Sequence, residues 1–433
     1  MELSIIIVAL TCLSMILCVL FKPQFKLKNL VVDSYWVIVL IGAIVVICSG
    51  LIDLEFLGSA LIADSSINPI KILVLFISMT VLSIFLDEVD FFRYLANLTL
   101  KKARGSQLKL FTTLYIVVSV LTVFTSNDII VLTFTPFICH FAKNAKINPV
   151  PYLVCEFIAA NTMSMTLIIG NPTNIYIATA YGINFLEYAK IMILPTLASA
   201  LLSFALLLLI FRKDLKVVTQ ANVEDVKINN KPFLIIGLTL LSVCTVALAV
   251  GPYIGLDMWI ISLVSALLLF IITGAISIFK KSKSTEIVMC LKRAPWQLIP
   301  FVLSMFVMIL ALQENGVTGK INELLGSQHS IFKYGISSFL FANVINNIPM
   351  SVLFCPIIEG LTGHALTGAI YGTIIGSNLG ALLTPIGALA GIMWTSMLKK
   401  HGAKYSYATF IKNGVIISVP SILVALLMLS LII

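Results

Sequence analysis

The chain has 433 residues, of which 60% are hydrophobic and 11% charged, and its mean hydropathy is +1.08. Soluble domains carry about 25% charged residues, so these figures exclude a soluble globular protein, a disordered chain and a secreted disulfide scaffold. The net charge of +9 does not point to nucleic acid, because the basic residues are scattered through short loops between apolar runs.

In chain order, apolar runs predict helices near 2–21, 31–51, 67–86, 151–181, 187–211, 233–250, 258–279, 297–313, 366–396 and 410–433. The first lacks a basic n-region, since Glu2 stands there, and reads as a retained helix rather than a cleaved signal. Two further stretches, 108–142 and 332–360, are interrupted at their centres by Thr125-Ser126-Asn127-Asp128 and Asn343-Val344-Ile345-Asn346-Asn347. Treating both as re-entrant hairpins places 24 of the 28 basic residues on one side, in the loops 22–28, 93–109, 143–146, 212–231, 280–293 and 399–412. Lys71, Lys190, Lys320 and Lys333 fall on the other. That bias makes the first side cytoplasmic and puts both termini outside. The expected fold is therefore an all-α polytopic membrane protein with ten spans and two hairpins.

The pattern occurs twice. Residues 1–211 hold a hairpin (108–142) and a broken helix (151–181). Residues 232–433 hold a hairpin (332–360) and a broken helix (366–396), after a cytoplasmic linker, 212–231. Five spans per half make the repeats inverted. Asn127 and Asn347 are offset by 220, whereas the break prolines, Pro172 and Pro385, are offset by 213. Paired interruptions in inverted halves point to a midplane substrate site.

Broken helices inside a bilayer need partners for the freed backbone groups. Thr125, Ser126, Asn127, Asn171, Thr173, Asn174, Asn346, Asn347, Ser377, Asn378 and Thr384 could supply them and also line a binding site. The same tips are good helix caps, and capping and binding are compatible. Asp128 is the acid within these breaks. At midplane it is either a proton carrier or an ionised cap. Glu156 is read as lying near the cytoplasmic edge of its span, and Asp87, Glu88 and Asp90 as solvated. The eight cysteines lack metal-site spacing, and the four histidines sit at span ends or in loops. Neither a cofactor nor a catalytic constellation is expected, so the chain reads as a transporter rather than an enzyme.

Thr125-Ser126-Asn127-Asp128 with Leu132-Thr133-Phe134-Thr135-Pro136 resembles the first hairpin of the arsenite permease and NhaD-type sodium/proton antiporter group of the ion transporter superfamily. Asn343 through Pro349 resembles the second hairpin. Ile375-Gly376-Ser377-Asn378-Leu379-Gly380 through Gly387 is similar to arsenite permeases. The resemblance implies an elevator-type transporter in the plasma membrane that extrudes arsenite or antimonite as the trihydroxide, coupled to proton entry. It implies that Asn127, Asp128, Asn346, Asn347, Asn378 and Thr384 line the site. Sodium as the coupling ion, in a sodium/proton antiporter, and a carboxylate or other anion as substrate are the alternatives. Such permeases include some that work with an ATPase subunit, and elevator scaffolds are often homodimers.

Overall fold

The computed structural model describes residues 1–22, 24–27, 30–62, 68–103, 106–216, 228, 230–281 and 285–433. Most of the expected linker 212–231 lies outside them, as do Lys28, Arg104, Lys227 and Lys283 of the basic loops.

Helix α1 (Glu2–Phe21) is followed by a short antiparallel pair, β1 (Gln24–Leu27) and β2 (Leu30–Asp33), with Gln24 opposite Asp33. This pair is a small departure from an all-helical chain. Next come α2 (Ser34–Cys48), α3 (Leu54–Ile62), α4 (Pro69–Glu88) and α5 (Phe91–Ala103). The first interrupted stretch forms α6 (Gln107–Phe124) and α7 (Asn127–Ala145). The first broken helix is α8 (Val150–Met163) and α9 (Pro172–Ala180), separated by two 3-10 turns, Ser164–Thr166 and Ile168–Gly170. Helix α10 (Phe185–Phe211) completes this set.

The order then recurs. Helices α11 (Lys231–Val250), α12 (Met258–Phe279), α13 (Thr285–Arg293), α14 (Leu298–Glu314) and α15 (Val317–Leu325) precede the second hairpin, α16 (Ser330–Ile345) and α17 (Asn347–Ile358). The second broken helix is α18 (Gly363–Gly380) and α19 (Leu389–Lys400), with a 3-10 turn at Pro385–Gly387 between them. Helix α20 (Tyr407–Ile432) ends the chain.

Among the described residues, eight segments are long and apolar enough to cross a membrane by length and composition, and α2, α16 and α17 are shorter apolar helices. Helix α4 is mostly buried, while α11 leaves Ile235, Val243 and Val246 exposed and α12 leaves Val264, Leu267 and Ile271 exposed. Exposed apolar rows of this kind suit a lipid surface. Helices α3, α5, α13 and α15 are additions to the expected runs. Each has 13 residues or fewer, and polar residues interrupt its hydropathy.

The repeats are interlocked. Helix α7 of the first hairpin packs on α19 of the second broken helix, and α17 of the second hairpin packs on α9 of the first. The breaks align on glycine rather than proline. Gly170 and Gly387 each close a 3-10 turn, 217 residues apart, and a Cβ on either would strike a backbone oxygen (Ser164 O at 2.1 Å, Gly380 O at 2.7 Å). The offset of 213 at the prolines is thereby corrected. Pro172 opens α9, whereas Pro385 opens the 3-10 turn, so the two rings stop helices at different places.

Helix α18 carries Gly368, Gly372, Gly376 and Gly380 at four-residue spacing, on the face that meets α16. A Cβ at Gly376 would lie 2.0 Å from Ser338 Oγ and 2.2 Å from Gly335 O, and one at Gly372 would lie 2.6 Å from Ile331 O. Small residues at i and i+4 let two membrane helices approach to backbone contact. Gly376→Ala should therefore overpack this seam and cost about 1–3 kcal/mol, read as a lower unfolding temperature of the purified protein. An unchanged unfolding temperature would show that the seam can open without cost.

Candidate functional site

The two breaks meet at Asn378. Its Oδ1 accepts from Asn171 Nδ2 at 2.9 Å and from Ser164 Oγ at 3.0 Å. Its Nδ2 donates to Asn174 Oδ1 at 2.7 Å and to Ile374 O, one turn back, at 2.8 Å. Asn174 Nδ2 in turn donates to Ser164 O and Leu167 O, the latter also accepting from Gly170 N–H within the second 3-10 turn. Asn171 caps α9, its Oδ1 accepting from Thr173 N–H at 3.2 Å. The broken backbone of the first repeat is thus held by amides from both repeats, as freed carbonyls in a bilayer require.

The first hairpin tip joins the same network. Asn127 Nδ2 donates to Asn161 Oδ1 at 3.0 Å, and Asn161 O shares the single hydrogen of Ser164 Oγ, 2.9 Å away, with Asn378 Oδ1. Asn161 and Asn378 are equivalent at the offset of 217, and each donates to the carbonyl four residues back. The second tip is tied to its own break. Asn346 Nδ2 donates to Ile386 O at 2.9 Å, Thr384 Oγ1 donates to Asn343 Oδ1 at 2.6 Å, and Asn343 Nδ2 donates to Gly380 O. Asn346 holds φ +75° at the turn, which for a non-glycine residue is a strained conformation.

The expected site residues are thereby placed. Asn171, Asn174 and Asn378 are in direct contact, and Asn127 reaches them through Asn161 and Ser164. Asn346 and Thr384 brace the second tip, and Asn347 and Ser377 are buried. Thr125 caps the end of α6, and its hydroxyl donates to Leu121 O. Ser126 Oγ accepts from Asp128 N–H at 3.3 Å, and Thr173 Oγ1 contacts Asn174 Oδ1 only at 3.5 Å. No hydrogen bond among the described residues joins Thr125–Asp128 directly to Asn346–Asn347.

Asp128 is half-buried at the start of α7, and its carboxylate has no hydrogen-bond partner among the described residues. Several other polar atoms here are buried and unpartnered: Asn127 Oδ1, Thr162 Oγ1, Thr373 Oγ1 and Ser377 Oγ. Buried polar atoms are normally paired, so these are open hydrogen-bonding positions beside the network.

Sequence reasoning missed Asn161, Ser164 and Asn343 as network members. Their signal was polarity at three- and four-residue spacing inside otherwise apolar helices. It also misjudged two acids, and it did not foresee that Glu156, early in α8, is fully buried. Asp87 and Glu88 are not solvated: Arg293 donates to Asp87 Oδ2 at 2.6 Å and to Glu88 Oε1, and all three are partly buried. These three residues border a cavity of about 530 Å³ that is also lined by Arg93, Thr133, Pro136, His140 and His401.

Comparison with known proteins agrees with this architecture. The family model described as CitMHS, citrate transporter, matches residues 15–371. The arsenical pump membrane protein of Escherichia coli K12 is 26% identical over 372 residues, covering 82% of this chain and 85% of that protein. The arsenical pump membrane protein of Yersinia enterocolitica is 26% identical over 370 residues, with the same coverage. The YdaH transporter of Alcanivorax borkumensis shares the fold at TM-score 0.53 and 14% identity, covering 99% of this chain and 97% of that one. With most of its length matched by the family model, the chain belongs to the CitMHS family of the ion transporter superfamily and is a multi-pass membrane transporter.

Proposed function

We propose that the protein exports arsenite or antimonite across the plasma membrane in exchange for protons, with both termini outside. One observation carries this reading. The polar groups at the tips and breaks are amides and hydroxyls with Asp128 as the only carboxylate, and among the described residues no Lys, Arg or His is fully buried. A neutral trihydroxide, which both donates and accepts hydrogen bonds, matches unpartnered groups such as Asn127 Oδ1 and Ser377 Oγ. The arsenical pump names of the relatives support the same substrate.

The family's description as citrate transporters favours a second reading. A tricarboxylate would face Asp128 with no buried cation to neutralise it, and an uncompensated buried charge is costly. Sodium is disfavoured for another reason. Ser164 O and Leu167 O, the natural oxygen ligands of the first break, already accept from Asn174.

Everted vesicles with an imposed pH gradient, offered arsenite, sodium and citrate in turn, test the proposal. Arsenite uptake that rises with the gradient is the expected result. Citrate or sodium movement in its place, or arsenite uptake indifferent to the gradient, would overturn it.

A further inference from the structure

We propose that Glu156 is a second proton-binding site, distinct from Asp128 and set where the first hairpin packs on the first broken helix; this rests on the proton-coupled reading above. Glu156 lies on α8 and is 0% exposed. Both of its carboxyl oxygens face one hydroxyl, Thr135 Oγ1 on α7, at 3.0 and 3.1 Å. That hydroxyl has a single hydrogen and can satisfy only one oxygen at a time. The indole of Trp394, on α19, adjoins the carboxyl without closing a hydrogen bond.

The titratable groups that face it are two thiols, Cys139 on α7 and Cys155 on α8. Helices α6, α10 and α18, which also pack on α8, bring no charged group to it. An ionised Glu156 would therefore be a buried charge with one donor and no counter-ion, which folded proteins avoid. Protonated, it is satisfied by that one hydroxyl: the carboxylic O–H of one oxygen donates to Thr135 Oγ1, and the Thr135 hydroxyl donates to the other oxygen.

Placement separates this group from an ordinary core acid. Thr135 adjoins Pro136, which lines the 530 Å³ cavity together with Thr133 and His140. Thr133 Oγ1 is itself buried and unpartnered. The cavity wall thus includes the chain neighbour of the residue that contacts Glu156. Uptake forms the O–H bond on the Glu156 carboxylate, and release returns the same proton to cavity water. At the repeat offset of 217 the counterpart of Glu156 is Thr373, and at the hairpin offset of 220 the counterpart of Asp128 is Ile348. Both carboxyls thus belong to the first repeat, and the second holds neutral groups in their places.

The test uses the full chain. Infrared difference spectra of wild type against Glu156→Gln should show a protonated-carboxyl C=O band at neutral pH that shifts in Thr135→Val. Absence of the band, or a band unmoved by Thr135→Val, would overturn the assignment. In vesicles, Glu156→Gln should fold with an unfolding temperature at or above that of wild type, because Gln mimics the neutral acid. Gradient-driven arsenite uptake should fall at least about ten-fold, while exchange at equal pH stays within about two-fold. Glu156→Asp should restore part of the gradient response. Unchanged gradient-driven uptake, or equal loss of exchange in a well-folded variant, would reduce Glu156 to a structural role. If wild type moves no arsenite in either mode, the export reading fails by itself, and the infrared band still decides whether Glu156 holds a proton.

Discussion

Vesicles carrying Asp128→Asn should show no arsenite uptake driven by a pH gradient, while the protein itself folds normally. Asp128 is the second residue of α7, and its carboxylate makes no hydrogen bond among the described residues. Replacing it removes no contact. Its only structural contribution is a negative charge near a helix N-terminus, worth about 0.3–1 kcal/mol. Stability should therefore change by less than about 1 kcal/mol. The functional loss should be complete, because an amide cannot take up or release a proton. Residual gradient-driven transport at the wild-type rate would assign Asp128 to capping alone and leave the coupling to another group.

The largest effect on stability is expected from Asn378→Ala. The truncation orphans Asn171 Nδ2 and leaves Asn174 Oδ1 with only its 3.5 Å contact to Thr173 Oγ1. Each buried polar atom left unpaired costs about 1–3 kcal/mol, so the variant should lose roughly 3–5 kcal/mol. Ser164→Ala is the matched control. Asn378 Oδ1 keeps its bond from Asn171, so the loss there should be near 1 kcal/mol. Thermal unfolding of the purified variants separates the two cases. Equal destabilisation would show that Asn378 is not the hub of the network.

Much of this arrangement is legible in the sequence, because breaking a helix in a bilayer takes distinctive residues. Gly170-Asn171-Pro172 and Thr384-Pro385-Ile386-Gly387 combine a helix stop, a free φ and side-chain partners, and both fall where the structure breaks. The tips at Asn127 and Asn347 are legible for the same reason. Burial is not legible. Nothing local to Glu156, early in its helix after Lys143 and Lys146, signals that all of α8 beyond Val150 is enclosed by neighbouring helices. Nor is long-range pairing. Asp87 and Glu88 precede the basic stretch that includes Arg93, but their partner is Arg293, more than 200 residues away. Asn161 and Ser164 look like ordinary polar residues of a helix until Asn378 from the other repeat is brought against them.

The glycine row of α18 has a mechanical corollary. Where two backbones touch, with Gly372 against Ile331 O and Gly376 against Gly335 O, no side chain larger than that of Ser338 lies between them to act as a compliant layer. The first arm of the second hairpin and the first arm of the second broken helix then behave as one plate. Asn346 and Asn343, bonded to Ile386 O and Gly380 O, rivet the tip to the far edge of that plate. A load applied at this tip is delivered undamped to the break, so the second hairpin cannot serve as an independent flap. The first hairpin, whose tip is tied to its broken helix among the described residues through the Asn127–Asn161 bond alone, has the softer mounting of the two.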